Sequence, residues 1–137
     1  MDVILSEMTL PGKPIPKKRP RFLKTGRTYD VQDKEKKRVR SLIAREWLND
    51  KPEDGALELT IFFDMPYPAS WSKKRKANYT KEHHLVKPDI DNLVKFYLDC
   101  MNGVVFHDDK QIVRVFASKA YCDHEGSTFI QVEKKHV

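Results

Sequence analysis

With 137 residues, the chain is long enough for one hydrophobic core and too short for two domains. Charged residues reach 34% and the net charge is +6, a balance that favours polyanionic partners. No apolar run approaches the roughly 20 residues of a membrane span, no signal-peptide pattern opens the chain, and two cysteines outside any C-x-x-C pattern suggest reduced thiols in the cytoplasm.

Taken in chain order, "VILSEMTL" (3–10) reads as a first strand that ends at Pro11-Gly12. A basic, proline-rich loop over about 11–29 follows. "DVQDKEKKRVRSLIAREWLND" (30–50) reads as a helix, because Val39, Leu42, Ile43 and Trp47 recur at helical spacing. "ALELTIFFDM" (56–65) alternates Leu57, Leu59, Ile61 and Phe63, the pattern of a half-buried strand. A second basic loop spans about 66–88, with no apolar periodicity. Pro88 biases Lys87 toward an extended backbone, and Asp89 is placed to cap the next helix. That helix carries Ile90, Leu93, Val94, Tyr97, Leu98 and Met101 three and four apart and stops at Gly103. "QIVRVFASKAYC" and "STFIQVEKK" are two further strands joined by a "DHEG" turn, which suggests a hairpin. The order β-α-β-α-β-β over a single domain, 1–137, predicts an α+β fold with helices packed on a mixed sheet.

Charge is unevenly spread. Lys13 to Arg27 carry +7 and Lys73 to Lys87 carry +5, so the remaining chain is net −6. Lys13, Lys17, Lys18, Arg19, Arg21 and Arg27 in the first stretch are candidate phosphate contacts, as are Lys73, Lys74, Arg75, Lys76 and Lys87 in the second. Phe22, Tyr29, Tyr67, Trp71 and Tyr79 lie between these charges and suit unstacked bases. The plainer alternative is a pair of solvated loops. Two such runs beside an acidic cluster favour nucleic acid.

That cluster is "KPDIDNLVKFYLDCMNGVVFHDDKQ", with Asp89, Asp91, Asp99, Asp108 and Asp109. Asp89 at the cap and Asp91 in the first turn can converge on one point, at a helix end that favours negative charge. The bland reading makes Asp89 an N-cap and Asp91 a first-turn ornament. A turn before the next strand could bring one carboxylate of Asp108–Asp109 back beside the helix start. Three carboxylates form a hard oxygen site for Mg²⁺ or Mn²⁺, with Asn92 and Asp108 as neighbours able to orient a ligand or water. Lys95 either stabilises charge beside the metal or pairs with Asp91 or Asp99 along the helix. Asp99, about two turns from the cap, reads as a pair partner. His83, His84, His107, His124, Cys100 and Cys122 include zinc-type ligands, but their spacings match no zinc signature.

The D-x-D-N-L-x-K helix start and the later D-D-x-Q resemble the RusA family of Holliday junction resolvases. "GKPIPKKRPR" is similar to the opening of phage and prophage members. The resemblance in motif order covers nearly the whole chain. It implies a homodimeric, Mg²⁺-dependent endodeoxyribonuclease of recombination and repair that nicks four-way DNA junctions symmetrically. Such nicks leave ligatable 5′-phosphate and 3′-hydroxyl ends. By this resemblance Asp89, Asp91 and Asp109 match the catalytic, metal-binding carboxylates and Lys95 the motif lysine. Some members have arginine before the first aspartate, where this chain has Pro88 preceded by Lys87.

Overall fold

The computed structural model describes residues 2–19, 21–78 and 83–135. Six long elements follow the expected order: β1 (Val3–Pro11), α1 (Asp33–Glu46), β4 (Leu57–Pro66), α3 (Ile90–Met101), β5 (Ile112–Cys122) and β6 (Ser127–Lys134). The fold is α+β, with helices on a four-stranded mixed sheet. No helix among the described residues is long and apolar enough to cross a membrane.

Both basic stretches contain structure where loops were expected. In the first, β2 (Arg21–Phe22) pairs with β3 (Thr28–Tyr29). The turn closes through Leu23 N–H to the Arg27 carbonyl (2.6 Å), and Gly26 supplies a φ of +83°. In the second, α2 (Lys73–Asn78) starts where the Ser72 hydroxyl accepts the Arg75 N–H at 3.1 Å. This six-residue helix has no apolar stripe, so periodicity could not reveal it. Pro20 and Tyr79 lie outside the described residues.

The sheet order is β1-β6-β4-β5. β4 and β5 are parallel, while β6 runs antiparallel to both β1 and β4. The expected β5–β6 hairpin is therefore corrected: the "DHEG" loop carries the chain across the end of β4, and β4 separates the two strands. The burial pattern gives the reason. β6 buries Thr128, Ile130 and Val132 on one face, as a central strand does, whereas Val113, Arg114, Val115 and Phe116 of β5 are exposed at an edge. Gly126 makes the crossing possible. A Cβ there would stand 3.0 Å from Lys13 Cα and 3.1 Å from the Asp64 carbonyl, and its φ is +102°.

The connections β1-α1-β4 and β4-α3-β5 put both long helices on one sheet face. Val39, Ile43 and Trp47 of α1 and Leu93, Phe96, Tyr97, Cys100 and Met101 of α3 are buried against Met8, Leu10, Leu59, Ile61, Phe63 and Ile130. Each large side chain contributes about 1.5–3 kcal/mol by leaving water. Phe96 and Cys100 extend the stripe expected for α3, so the buried face is broader than the spacing indicated. The Tyr97 hydroxyl is satisfied by the Ile15 N–H (3.1 Å) and the Thr128 hydroxyl (3.2 Å). Burial pushes its pKa up, with Thr128 opposing.

Candidate active site and nucleic-acid interface

Asp89 sits at the N-cap of α3 with extended backbone (φ −69°, ψ 144°), and its carbonyl accepts the Leu93 N–H at 3.2 Å. Its carboxylate makes no capping hydrogen bond, so the capping role does not account for the side chain. Asp91, Asn92 and Lys95 follow on the exposed side of the helix. Neither Asp91 nor Lys95 has an ion-pair partner among the described residues. The alternative pairing of Lys95 with Asp91 or Asp99 is not found among the described residues, while Asp99 is a pair partner as expected. It takes Lys17 Nζ at 2.5 Å and Lys36 Nζ at 3.9 Å.

Those contacts belong to a strap. Residues 15–18 of the first basic stretch run beside α3, with Ile15 N–H on the Tyr97 hydroxyl and Lys17 N–H on the Asn92 carbonyl at 2.8 Å. Gln32, fully buried just ahead of α1, grips the strap from the other side. Its Oε1 accepts the Lys18 N–H and its Nε2 donates to the Pro16 carbonyl, both at 2.7 Å. Asp30 accepts the Gln32 N–H at 2.8 Å and pairs with Lys36. The Lys36 bond, then the Gln32 bond, hold the Asp30 carboxyl below its usual range. The strap is thus fixed by backbone and amide bonds along the helix flank that bears Asp91 and Lys95.

Not every basic residue faces solvent. Lys13, Lys18, Arg19, Arg21, Arg27, Lys73, Lys74, Arg75 and Lys87 are exposed. Lys17 is committed to Asp99, and Lys76 is partly covered. Phe22 stands 82% exposed in the hairpin. Tyr67 and Trp71 instead stack on each other (centroids 5.5 Å) and on Tyr121 (5.2 and 5.4 Å). Arg75 lies 4.2 Å over the Trp71 ring, which helps hold α2 in place.

Asp109 lies elsewhere. It opens a single 3-10 turn (Asp109–Gln111) just before β5, beyond the C-terminal end of α3. Asp108 caps this turn by accepting the Lys110 N–H at 2.9 Å. Gln111, the last residue of D-D-x-Q, accepts the His107 and Asp108 N–H groups and donates to the Glu53 and Gly55 carbonyls. The turn is thereby fastened to the start of β4. The twelve residues of α3 rise about 18 Å and the turn is held at the start of β4, so Asp109 is not brought to Asp89 and Asp91 within this chain. Among the described residues no three His, Cys, Asp or Glu side chains are arranged to hold a metal ion. Partial burial, the hydrogen bond and charge of Asp108, and the charge of Asp99 push the Asp109 carboxyl up. The Lys110 N–H and the bond shared with Asp109 hold Asp108 down.

The zinc-type groups are dispersed. Cys100 is a core thiol pushed up to about 12 by burial and Asp99. His107 meets Asp54 at 2.8 Å, and His84 packs on Tyr121 with ring centroids 4.8 Å apart. Lys119 was missed by sequence reasoning. Its ammonium donates to the Val86 (2.7 Å) and Pro88 (2.8 Å) carbonyls and fixes the approach to Asp89. Gln32 was also missed, since an isolated glutamine before a helix carries no sequence signal of burial.

Comparison with known proteins places these features in context. The family model described as "Endodeoxyribonuclease RusA" matches residues 11–133. The chain is also similar to an uncharacterised protein, YqaN, of Bacillus subtilis (strain 168), with 29% identity over 131 residues, covering 90% of this chain and 91% of that protein.

Proposed function

Because this chain belongs to the RusA endodeoxyribonuclease family, we propose that it resolves four-way DNA junctions by paired, symmetric, divalent-metal-dependent nicks. One observation carries the reading: Asp89, Asp91 and Lys95 stand exposed at the start of α3, without cap bonds or ion pairs among the described residues, beside a basic strap bonded to the same helix.

The donor set was tested against Mg²⁺, which takes few carboxylates and keeps several waters. Asp89 and Asp91 fit that demand, and Mn²⁺ suits the same oxygens. Asp109 of the same chain does not reach them. It completes the set only when a second copy supplies it, which ties metal binding to a homodimer and gives two sites per dimer. The ion supplies Lewis acidity and an activated water when bound. Lys95, one turn from Asp91, holds the scissile phosphate or offsets charge on the departing oxygen. Lys18, Arg19, Arg21 and Arg27 hold the junction arms on one side, and Lys73, Lys74 and Arg75 on the other. Lys13 and Lys87 hold the backbone near the cut. Asn92 orients a ligand or water, whereas Asp108 serves the turn as its cap. The protein acts in the cytoplasm.

The test is a nicking assay on a synthetic four-way junction with Mg²⁺, run beside linear duplex and the Asp91→Asn variant. Paired ligatable nicks in the junction alone, lost in the variant while binding persists, support the reading. Binding without nicks in Mg²⁺ or Mn²⁺ would reduce the protein to a DNA-binding module.

A further inference from the structure

Beside the start of α3 lies a cavity of about 230 Å³. Its lining includes Lys13, Tyr67, His84, Lys87, Pro88 and Tyr121, so two tyrosines, a histidine and two lysines border a single small space. That space is below the roughly 300–1,000 Å³ of pockets for drug-sized ligands and suits one planar group. Its wall leads directly into the candidate site, because Lys87 and Pro88 immediately precede Asp89.

His84 is what makes this more than a surface crevice. Its side chain is buried (6% exposed), and its Nδ1 has no hydrogen-bond partner among the described residues. A buried polar atom is normally satisfied, so Nδ1 leaves a hydrogen-bonding demand unmet within a residue that lines the cavity. Burial, then the charges of Lys119 and Lys13, hold its pKa below the usual histidine range. The ring therefore stays neutral near pH 7, and Nδ1 can accept or donate according to tautomer. The position is also tied to β5. His84 N–H reaches the Lys119 carbonyl at 3.4 Å, and the Lys119 ammonium pins the carbonyls of Val86 and Pro88.

We propose that this cavity receives one nucleobase extruded at the branch point, next to the scissile phosphate. The base packs against the Tyr67–Tyr121 wall, and His84 reads its hydrogen-bonding edge. Lys13 and Lys87 hold the flanking phosphates, and the cavity sets which dinucleotide is cut. A base that leaves the stack is ordinarily recognised by this combination of ring contact and edge hydrogen bonds. Unpairing costs least at a branch point, so the substrate itself supplies an extrudable base. This proposal rests on the junction-nuclease reading and deepens it.

The test crosses a change in the DNA with a change in the protein. Junctions carrying an abasic nucleotide on either side of the cut are compared with intact ones, for wild type and His84→Ala. A single lost edge hydrogen bond is worth roughly two- to tenfold. The expected result is a loss in wild-type nicking at one abasic position that is clearly larger than the loss at the same position in His84→Ala, where only the ring contact remains to be lost. In that variant the preference among dinucleotides should also flatten while junction binding stays within about twofold. Equal abasic losses in both proteins, or an unchanged dinucleotide preference, overturn the proposal. Should His84→Ala fail to fold, His84→Gln keeps a polar group, and the preferred base is expected to shift; an unshifted preference overturns the proposal as firmly. Failure of the wild type to nick any junction overturns the junction-nuclease reading, whereas junction nicking indifferent to abasic positions overturns the base pocket alone.

Discussion

Two inactive variants should rescue each other. Asp91→Asn disables the helix-start carboxylates and Asp109→Asn the distant one. Each homodimer is expected to bind junctions without cutting them. Two ligands of one Mg²⁺ lie within about 4 Å of each other, since each Mg–O bond is about 2.1 Å. The twelve residues of α3 put about 18 Å between its ends, and the Asp109 turn is fastened to the start of β4, so a site within one chain would require that turn to leave its place. If the site spans two chains, a mixed dimer concentrates both substitutions in one site and leaves the other intact. Random re-association makes half the dimers mixed, so about a quarter of the wild-type sites return. Differently tagged variants can be co-expressed and the mixed dimer purified. A supercoiled plasmid with an extruded cruciform then distinguishes the products. Two coordinated nicks linearise it, whereas the mixed dimer should yield mainly nicked circles. A verified mixed dimer with no nicking would refute the two-chain site, and full activity in Asp109→Asn alone would remove Asp109 from the chemistry.

Three further outcomes test the interface and its scaffold. Lys18→Ala should lower the slope of log affinity against log salt by about 1; Lys17→Ala, whose ammonium is paired with Asp99, should leave that slope unchanged and cost at most about 1 kcal/mol of stability, as anisotropy titrations and urea unfolding would reveal. Gln32→Ala leaves the Lys18 N–H and Pro16 carbonyl unpaired and should cost up to about 6 kcal/mol, at about 1–3 per unsatisfied group when fully buried; a loss under about 1 kcal/mol in urea unfolding would show that the strap is not held this way. The folded pKa of Asp30 is lowered, so its contribution is complete above the unfolded value of about 3.9 and disappears as pH falls through the folded one; unfolding measured between about pH 2 and 6 should lose that component in Asp30→Asn.

Local pattern made most of the fold legible. Helix spacing in Val39, Ile43 and Trp47, strand alternation from Leu57 to Phe63 and the stop at Gly103 each depend on neighbours in sequence, and each corresponds to an observed element. Misreadings arose where the deciding partner is remote. Four residues separate β5 from β6, which suggests a hairpin, yet β6 pairs with β1 at the far end of the chain and with β4. Only the contrast between the core-facing alternation of β6 and the exposed apolar residues of β5 records that choice. Lys17 reads like its basic neighbours because nothing local distinguishes it. Its role is set by Asp99, 82 residues away.

The aspartates carry the same lesson into the site. Asp89 and Asp91 lie together because both belong to one helix start, where spacing and geometry coincide. Asp109 follows only twenty positions after Asp89, which encouraged placing the two together. A helix of twelve residues consumes most of that interval in one direction, and Gln111 then anchors the next turn to the start of β4. A short sequence interval filled by a helix therefore separates its ends. If both motifs serve one metal ion, it is the second copy that closes the gap, and symmetric nicking follows from the same requirement that assembles the site.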